Sequence, residues 1–149
     1  MVIIEAGRIK GEKKLDILVT LNAHYLRPLM VMLTSLVHTH PEEVFHLYVA
    51  HRSLTKKDFT QLEDKFLRRS LIIHEVALGE LGLKDAPVSS RFPQEMYYRI
   101  FAAQYLPQNL DRILYLDPDL VVLNSLEPLK RVDFAGNLMA AASHVHLPL

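Results

Sequence analysis

The segment Leu15-Asp16-Ile17-Leu18-Val19-Thr20-Leu21 is short, rich in β-branched residues and almost continuously apolar. A strand with water on one face alternates polar and apolar residues, so a run like this one belongs in a sheet covered on both faces. No other feature constrains the fold as strongly, because helices must then pack on each side of that sheet. The rest of the chain supplies them. Pro28 opens a segment, Leu29 to His40, in which Leu29, Met32, Leu33 and Leu36 recur at helical spacing, with Pro41 beyond its end. Val44 to Ala50 reads as a second strand. Thr55-Lys56-Lys57-Asp58 resembles a capping box, with Ser53 or Thr55 as the cap, ahead of Phe59, Leu62 and Phe66 on one helical face. Leu71 to Leu78 reads as a third strand and Gly79 to Phe92 as a loop. Pro93 to Leu106 is apolar almost all round, which predicts a buried helix stopped by Pro107. Arg112 to Leu116 and Leu138 to Ala142 complete the strands. Strands alternating with helices predict an α/β fold with a mostly parallel sheet, whose ligands bind at the carboxyl ends of the strands.

Composition narrows the function classes. The 149 residues suffice for one domain, and no repeat or Gly/Ser linker divides them. The first fourteen residues are polar and read as a leader, which leaves 15–149 as the functional unit. Seventeen Lys and Arg balance seventeen Asp and Glu, so there is no basic footprint for nucleic acid. The longest strongly apolar stretch, Leu29 to Val37, is far shorter than the roughly 20 residues a membrane span needs. Met1 to Lys14 lacks the apolar block of a secretion signal, so the expected location is the cytoplasm. With no cysteine, disulfides and thiol chemistry are excluded, and any metal must be held by oxygen or imidazole.

The chemistry concentrates in Ile113-Leu114-Tyr115-Leu116-Asp117-Pro118-Asp119. In an extended chain Asp117 and Asp119 point the same way, while Pro118 fixes the backbone between them. Two neighbouring carboxylates repel unless a cation lies between them, and oxygen ligands suit Mg²⁺ or Mn²⁺, which in turn suit a diphosphate.

Three ordered segments carry a resemblance. Asp16 to Tyr25, Tyr97-Tyr98-Arg99-Ile100-Phe101-Ala102-Ala103-Gln104-Tyr105-Leu106-Pro107 and Asp111 to Asp119 together are similar to family 8 glycosyltransferases, from about Leu15 to the end of the chain. The resemblance implies a GT-A fold, a Rossmann-like sheet flanked by helices, and transfer of a sugar from a UDP-sugar donor to an acceptor with retention. It implies that Asp117 and Asp119 hold Mn²⁺ or Mg²⁺ against the donor diphosphate, where the metal acts as a Lewis acid on the departing UDP. Because the family's catalytic domain continues well past the equivalent of Leu149, the chain is expected to be the donor-binding half. Uncovered apolar faces would then favour self-association.

Arg99 is the only charge between Glu95 and Asp111. It either pairs with Glu95 at i,i+4 or, as the resemblance implies, faces the donor sugar and phosphates as the catalytic arginine. Thr20-Leu21-Asn22-Ala23-His24-Tyr25 lies where the family grips uridine, and Tyr25 resembles the aromatic residue that stacks on the base. Asn22 stands where relatives commonly have Asp, and its amide oxygen can still accept the uracil N–H without charge assistance. His24 also departs from the usual residue. His38 and His40 close a helix, His46, His51 and His74 lie in or beside strands without ligand spacing, and His144-Val145-His146 is a terminal pair.

Two other readings stay open. A strand running into Asp117-Pro118-Asp119-Leu120-Val121 resembles the signature of haloacid-dehalogenase-like phosphatases, with Asp117 as nucleophile. Alternatively the chain binds a nucleotide without turning it over.

Overall fold

The computed structural model describes residues 2–5, 15–66, 71–79 and 95–142. Strand β2 (Asp16–Thr20) is followed by helix α1 (Leu26–Thr39), β3 (Phe45–His51), helix α2 (Lys56–Phe66) and β4 (Leu71–Ala77). Beyond these come α3 (Glu95–Tyr98), a 3₁₀ turn (Arg99–Phe101), α4 (Ala102–Tyr105), β5 (Arg112–Tyr115), α5 (Glu127–Lys130) and β6 (Met139–Ala141), with β1 (Val2–Glu5) at the start of the chain. One sheet has the order β4-β3-β2-β5-β1-β6. Its first four strands are parallel. Only β1 runs against its neighbours, pairing Val2 with Tyr115 on one side and Ala141 on the other.

The apolar run in β2 is explained by two separate cores. Ile17 and Val19 face α1 and α2, joining Leu29, Met32, Leu33, Leu36, Phe59 and Leu62. Leu18 faces the opposite way, against Tyr98, Ala102, Leu106 and Tyr115. The predicted capping box forms: Thr55 N donates to Asp58 Oδ2 at 2.7 Å, and Asp58 N reaches back to Thr55 Oγ1 at 3.4 Å. Thr55 N and Thr55 Oγ1 both donate to Asp58 Oδ2 and hold that carboxyl below the usual range.

Several expectations need correction. Val2–Glu5 lies inside the span read as a polar leader yet forms a strand, because its Val-Ile-Ile run can complete the ladder beside β5. Residues 6–14 lie outside those described. The segment read as one buried helix from Pro93 to Leu106 is a helix interrupted by the 3₁₀ turn, and one face of it meets solvent. Tyr98, Ala102 and Leu106 form its buried stripe, whereas Ile100 is 70% exposed. Pro93 and nearly all of the loop expected from Gly79 to Phe92 fall outside the described residues. Helix α5, with Pro128 in its first turn, had no counterpart in the sequence reading. No described helix is long and apolar enough to cross a membrane.

Candidate functional site

The strand order fixes where a ligand can enter. From β2 the chain moves outward through β3 to β4, then returns to place β5 on the other side of β2. Loops leaving neighbouring strands at such a reversal diverge and open a crevice at the carboxyl ends. Here they are Leu21–Tyr25 after β2 and Leu116–Asp119 after β5.

A cleft of about 250 Å³ occupies that crevice, lined by Thr20, Leu21, Asn22, Tyr25, Glu95, Arg99, Tyr115, Asp117, Pro118 and Asp119. The structure therefore gathers six of the seven residues singled out from the sequence. His24 is the exception: it is exposed, does not line the cleft, and its backbone N–H donates to Asn22 Oδ1 at 3.0 Å. That bond caps the 3₁₀ turn Ala23–Tyr25 and occupies one lone pair of the oxygen expected to face uracil. Tyr25, 39% exposed, leaves its ring on the cleft wall.

The aspartates do not reach the cleft as extended strand. β5 ends at Tyr115, and Pro118 and Asp119 form a turn. Pro118 is buried within it while Asp119 is exposed. Bending, rather than alternation, brings both carboxylates to the same cavity.

Tyr115 organises the floor, and sequence reasoning missed it. Its hydroxyl donates to Asp117 Oδ1 at 3.0 Å and accepts from Thr20 Oγ1 at 3.1 Å. Burial pushes its pKa up to about 12, so it stays a neutral donor throughout the physiological range. Arg99 stacks over the same ring, with Cζ 4.8 Å from the centroid, and its Nη1 lies 3.5 Å from Asp117 Oδ1. The guanidinium thus faces an aspartate across the cleft, and not Glu95 one turn away. The sequence signal for Tyr115 is its position as a phenol-bearing residue two places before Asp117.

Further out, helix α1 holds the segment that follows the aspartates. Ser35 Oγ accepts from Val122 N at 2.9 Å, and His40 Nε2 accepts from Leu126 N at 2.8 Å. Since Nε2 accepts, Nδ1 carries the proton and donates to Leu36 O at 3.0 Å. His40, read from the sequence as closing a helix, is a buried tether between α1 and that segment.

A larger cleft, about 440 Å³, lies at the amino ends of the strands beside Asp16, His46, Tyr48 and His74. His46 Nδ1 and His74 Nε2 are 2.9 Å apart, with ring planes only 11° apart and centroids at 5.1 Å. A nitrogen separation that short for such centroids puts the two rings head to tail in one plane, as in an N–H···N hydrogen bond. Two ring nitrogens engaged with each other in this way do not converge on a metal. No group of three metal-ligating side chains occurs among the described residues. His144 and His146 lie outside them.

Comparison with known proteins decides the family. The model for glycosyl transferase family 8 matches residues 16–146. The chain belongs to that family. Among curated relatives of this family 8 chain, probable galacturonosyltransferase-like 4 of Arabidopsis thaliana is 29% identical over 140 residues, spanning 89% of the chain and 39% of the relative. The lipopolysaccharide 1,2-glucosyltransferase of Escherichia coli K12 is 26% identical, over 93% of the chain and 41% of the relative. The chain thus spans about two-fifths of the length of these relatives. Among solved structures, the galactosyltransferase LgtC, in complex with donor and acceptor sugar analogues, superposes with a TM-score of 0.71 at 22% identity, over 80% of the chain and 43% of that structure. GlyE of Streptococcus pneumoniae gives 0.59 at 20% identity, over 80% of the chain and 27% of that structure. The fold is GT-A, and family membership sets aside the phosphatase alternative for Asp117.

Proposed function

We propose that this family 8 chain binds a UDP-sugar through a divalent cation held by Asp117 and Asp119, for transfer of the sugar to an acceptor with retention. One observation carries the reading: both aspartates, Arg99 and Tyr25 line a single cleft at the switch point between β2 and β5. The donor set suits the ion. Two carboxylates without a third side-chain ligand among the described residues leave positions for water and phosphate oxygens, as Mg²⁺ and Mn²⁺ prefer. When bound, the metal would neutralise charge gathering on the departing diphosphate.

The chain's own residues do the rest. Asp117 is oriented by Tyr115, Arg99 offers planar donors to phosphate or sugar oxygens, and Tyr25 gives an aromatic face to the base. Asn22 keeps one acceptor lone pair beyond the turn it caps. A cytoplasmic location accompanies this reading. So does self-association through exposed apolar side chains such as Leu123 and Leu138, which are 76% and 80% exposed.

Calorimetric titration of the chain with UDP, with and without Mn²⁺, tests the proposal. Metal-dependent binding that disappears in Asp119→Ala is expected. No UDP heat at high protein and Mn²⁺ concentrations would overturn it.

A further inference from the structure

Glu95 lines the cleft beside Arg99, Asp117 and Asp119, and nothing argued so far gives it a task. The expected partner one turn along, Arg99, is directed at Asp117 Oδ1. Among the described residues, no hydrogen bond or ion pair engages the Glu95 carboxylate. Its place in the first turn of α3 accounts for tolerating a negative charge there, but not for presenting that charge to a cavity. With no donor among the described residues, this half-buried carboxylate keeps its lone-pair positions open to hydrogen bonds from a ligand in the cleft.

We infer that the Glu95 carboxylate accepts hydrogen bonds from a vicinal pair of hydroxyls on the bound nucleotide sugar. The inference rests on the donor reading above. The phosphates repel a carboxylate, a carboxylate does not stack on the base, and the single uracil N–H is already assigned to Asn22 in the donor reading above. What remains of such a ligand is hydroxyl-bearing, and adjacent hydroxyls span the two oxygens of one carboxylate. Ribose and the donor hexose both carry that group, so the chemistry is shared and the two sources are separated by the choice of probe.

The test compares the wild-type chain with Glu95→Gln, which keeps the shape and removes the charge, by calorimetry in Mn²⁺ with UDP, 2′-deoxy-UDP and UDP-glucose. Hydrogen bonds to a charged acceptor imply an affinity loss of roughly tenfold or more. If ribose is the partner, the variant loses that factor for UDP and UDP-glucose and clearly less for 2′-deoxy-UDP, which keeps only the 3′-hydroxyl. If the hexose is the partner, only UDP-glucose weakens. Either pattern supports the inference. Equal affinities in both proteins for all three probes overturn it, as does an equal loss on all three, which would mark a structural role. Failure of the wild-type chain to bind UDP at all overturns the donor reading and this inference together; normal wild-type binding with an indifferent Glu95→Gln overturns this inference alone.

Discussion

The Tyr115 hydroxyl donates a hydrogen bond to Asp117 Oδ1 across 3.0 Å, linking the last residue of β5 to the first aspartate of the turn beyond it. The same hydroxyl accepts from Thr20 at the end of β2, so the side chains at two neighbouring strand ends are tied to one carboxylate. On the proposed metal role, Asp117 held in this way would lose little rotamer entropy when the ion arrives.

Tyr115→Phe is therefore expected to retain the fold, because the ring stays buried, and to weaken Mn²⁺-dependent UDP binding by about tenfold. Calorimetry reads the affinity and thermal melting the fold. Unchanged affinity would show that Asp117 needs no such support.

Arg99 makes two contacts that separate charge from shape: the face of the Tyr115 ring and the edge of Asp117. Lysine retains the charge but neither the planar fork nor the stacking. Arg99→Lys is expected to fall between wild type and Arg99→Ala in UDP affinity, with the alanine variant weakened by roughly tenfold or more. Since the Arg99–Asp117 pair is partly exposed, its loss should cost about 1 kcal/mol or less of stability, measured by urea denaturation.

Much of this architecture was legible in the sequence, and the exceptions have physical causes. β2 was readable because a strand buried on both faces has no polar alternation, and α2 because its capping box and apolar stripe agree. β1 was missed because four residues at the head of a polar stretch carry no periodicity of their own; only their pairing with β5 and β6 makes them a strand. The segment around Arg99 misled by composition, since its nine apolar residues between Pro93 and Leu106 look buried until the 3₁₀ turn rotates Ile100 to solvent. At the cleft, Asp117, Asp119 and Arg99 are the lining residues that stand out in the sequence through their motif. The Thr20–Tyr115 and Ser35–Val122 contacts do not stand out, because they join residues 95 and 87 positions apart in the chain, and no local pattern encodes such pairs.

The Ser35 and His40 bonds to Val122 and Leu126 make the segment after the aspartates depend on α1. Ser35→Ala leaves the backbone N–H of a buried residue without its acceptor, a loss of about 1–3 kcal/mol. Ser35→Thr, which keeps the hydroxyl, should restore part of it. Urea denaturation at neutral pH measures both; a Ser35→Ala variant as stable as wild type would show that water replaces the bond at no cost.

The His46–His74 hydrogen bond makes stability depend on pH with a definite sign. An N–H···N bond needs one unprotonated acceptor nitrogen, and burial together with the neighbouring His46 lowers the pKa of His74 below its ordinary 6.5, against a weaker opposing pull from Asp16. The folded chain therefore binds the His74 proton less readily than the unfolded chain does. This contribution to stability is fully present above the unfolded-state value and falls as pH drops below 6.5 towards the lower folded value. Its slope cannot exceed one proton, about 1.4 kcal/mol per pH unit. Tyr48 stacks on His74 with centroids 4.6 Å apart, so the replacement should keep a flat polar group; His74→Gln does so without titrating. Urea midpoints between pH 7.5 and 5 are expected to fall more steeply for wild type than for His74→Gln. Parallel pH profiles would show that the pair accepts a second proton freely and that the hydrogen bond contributes nothing.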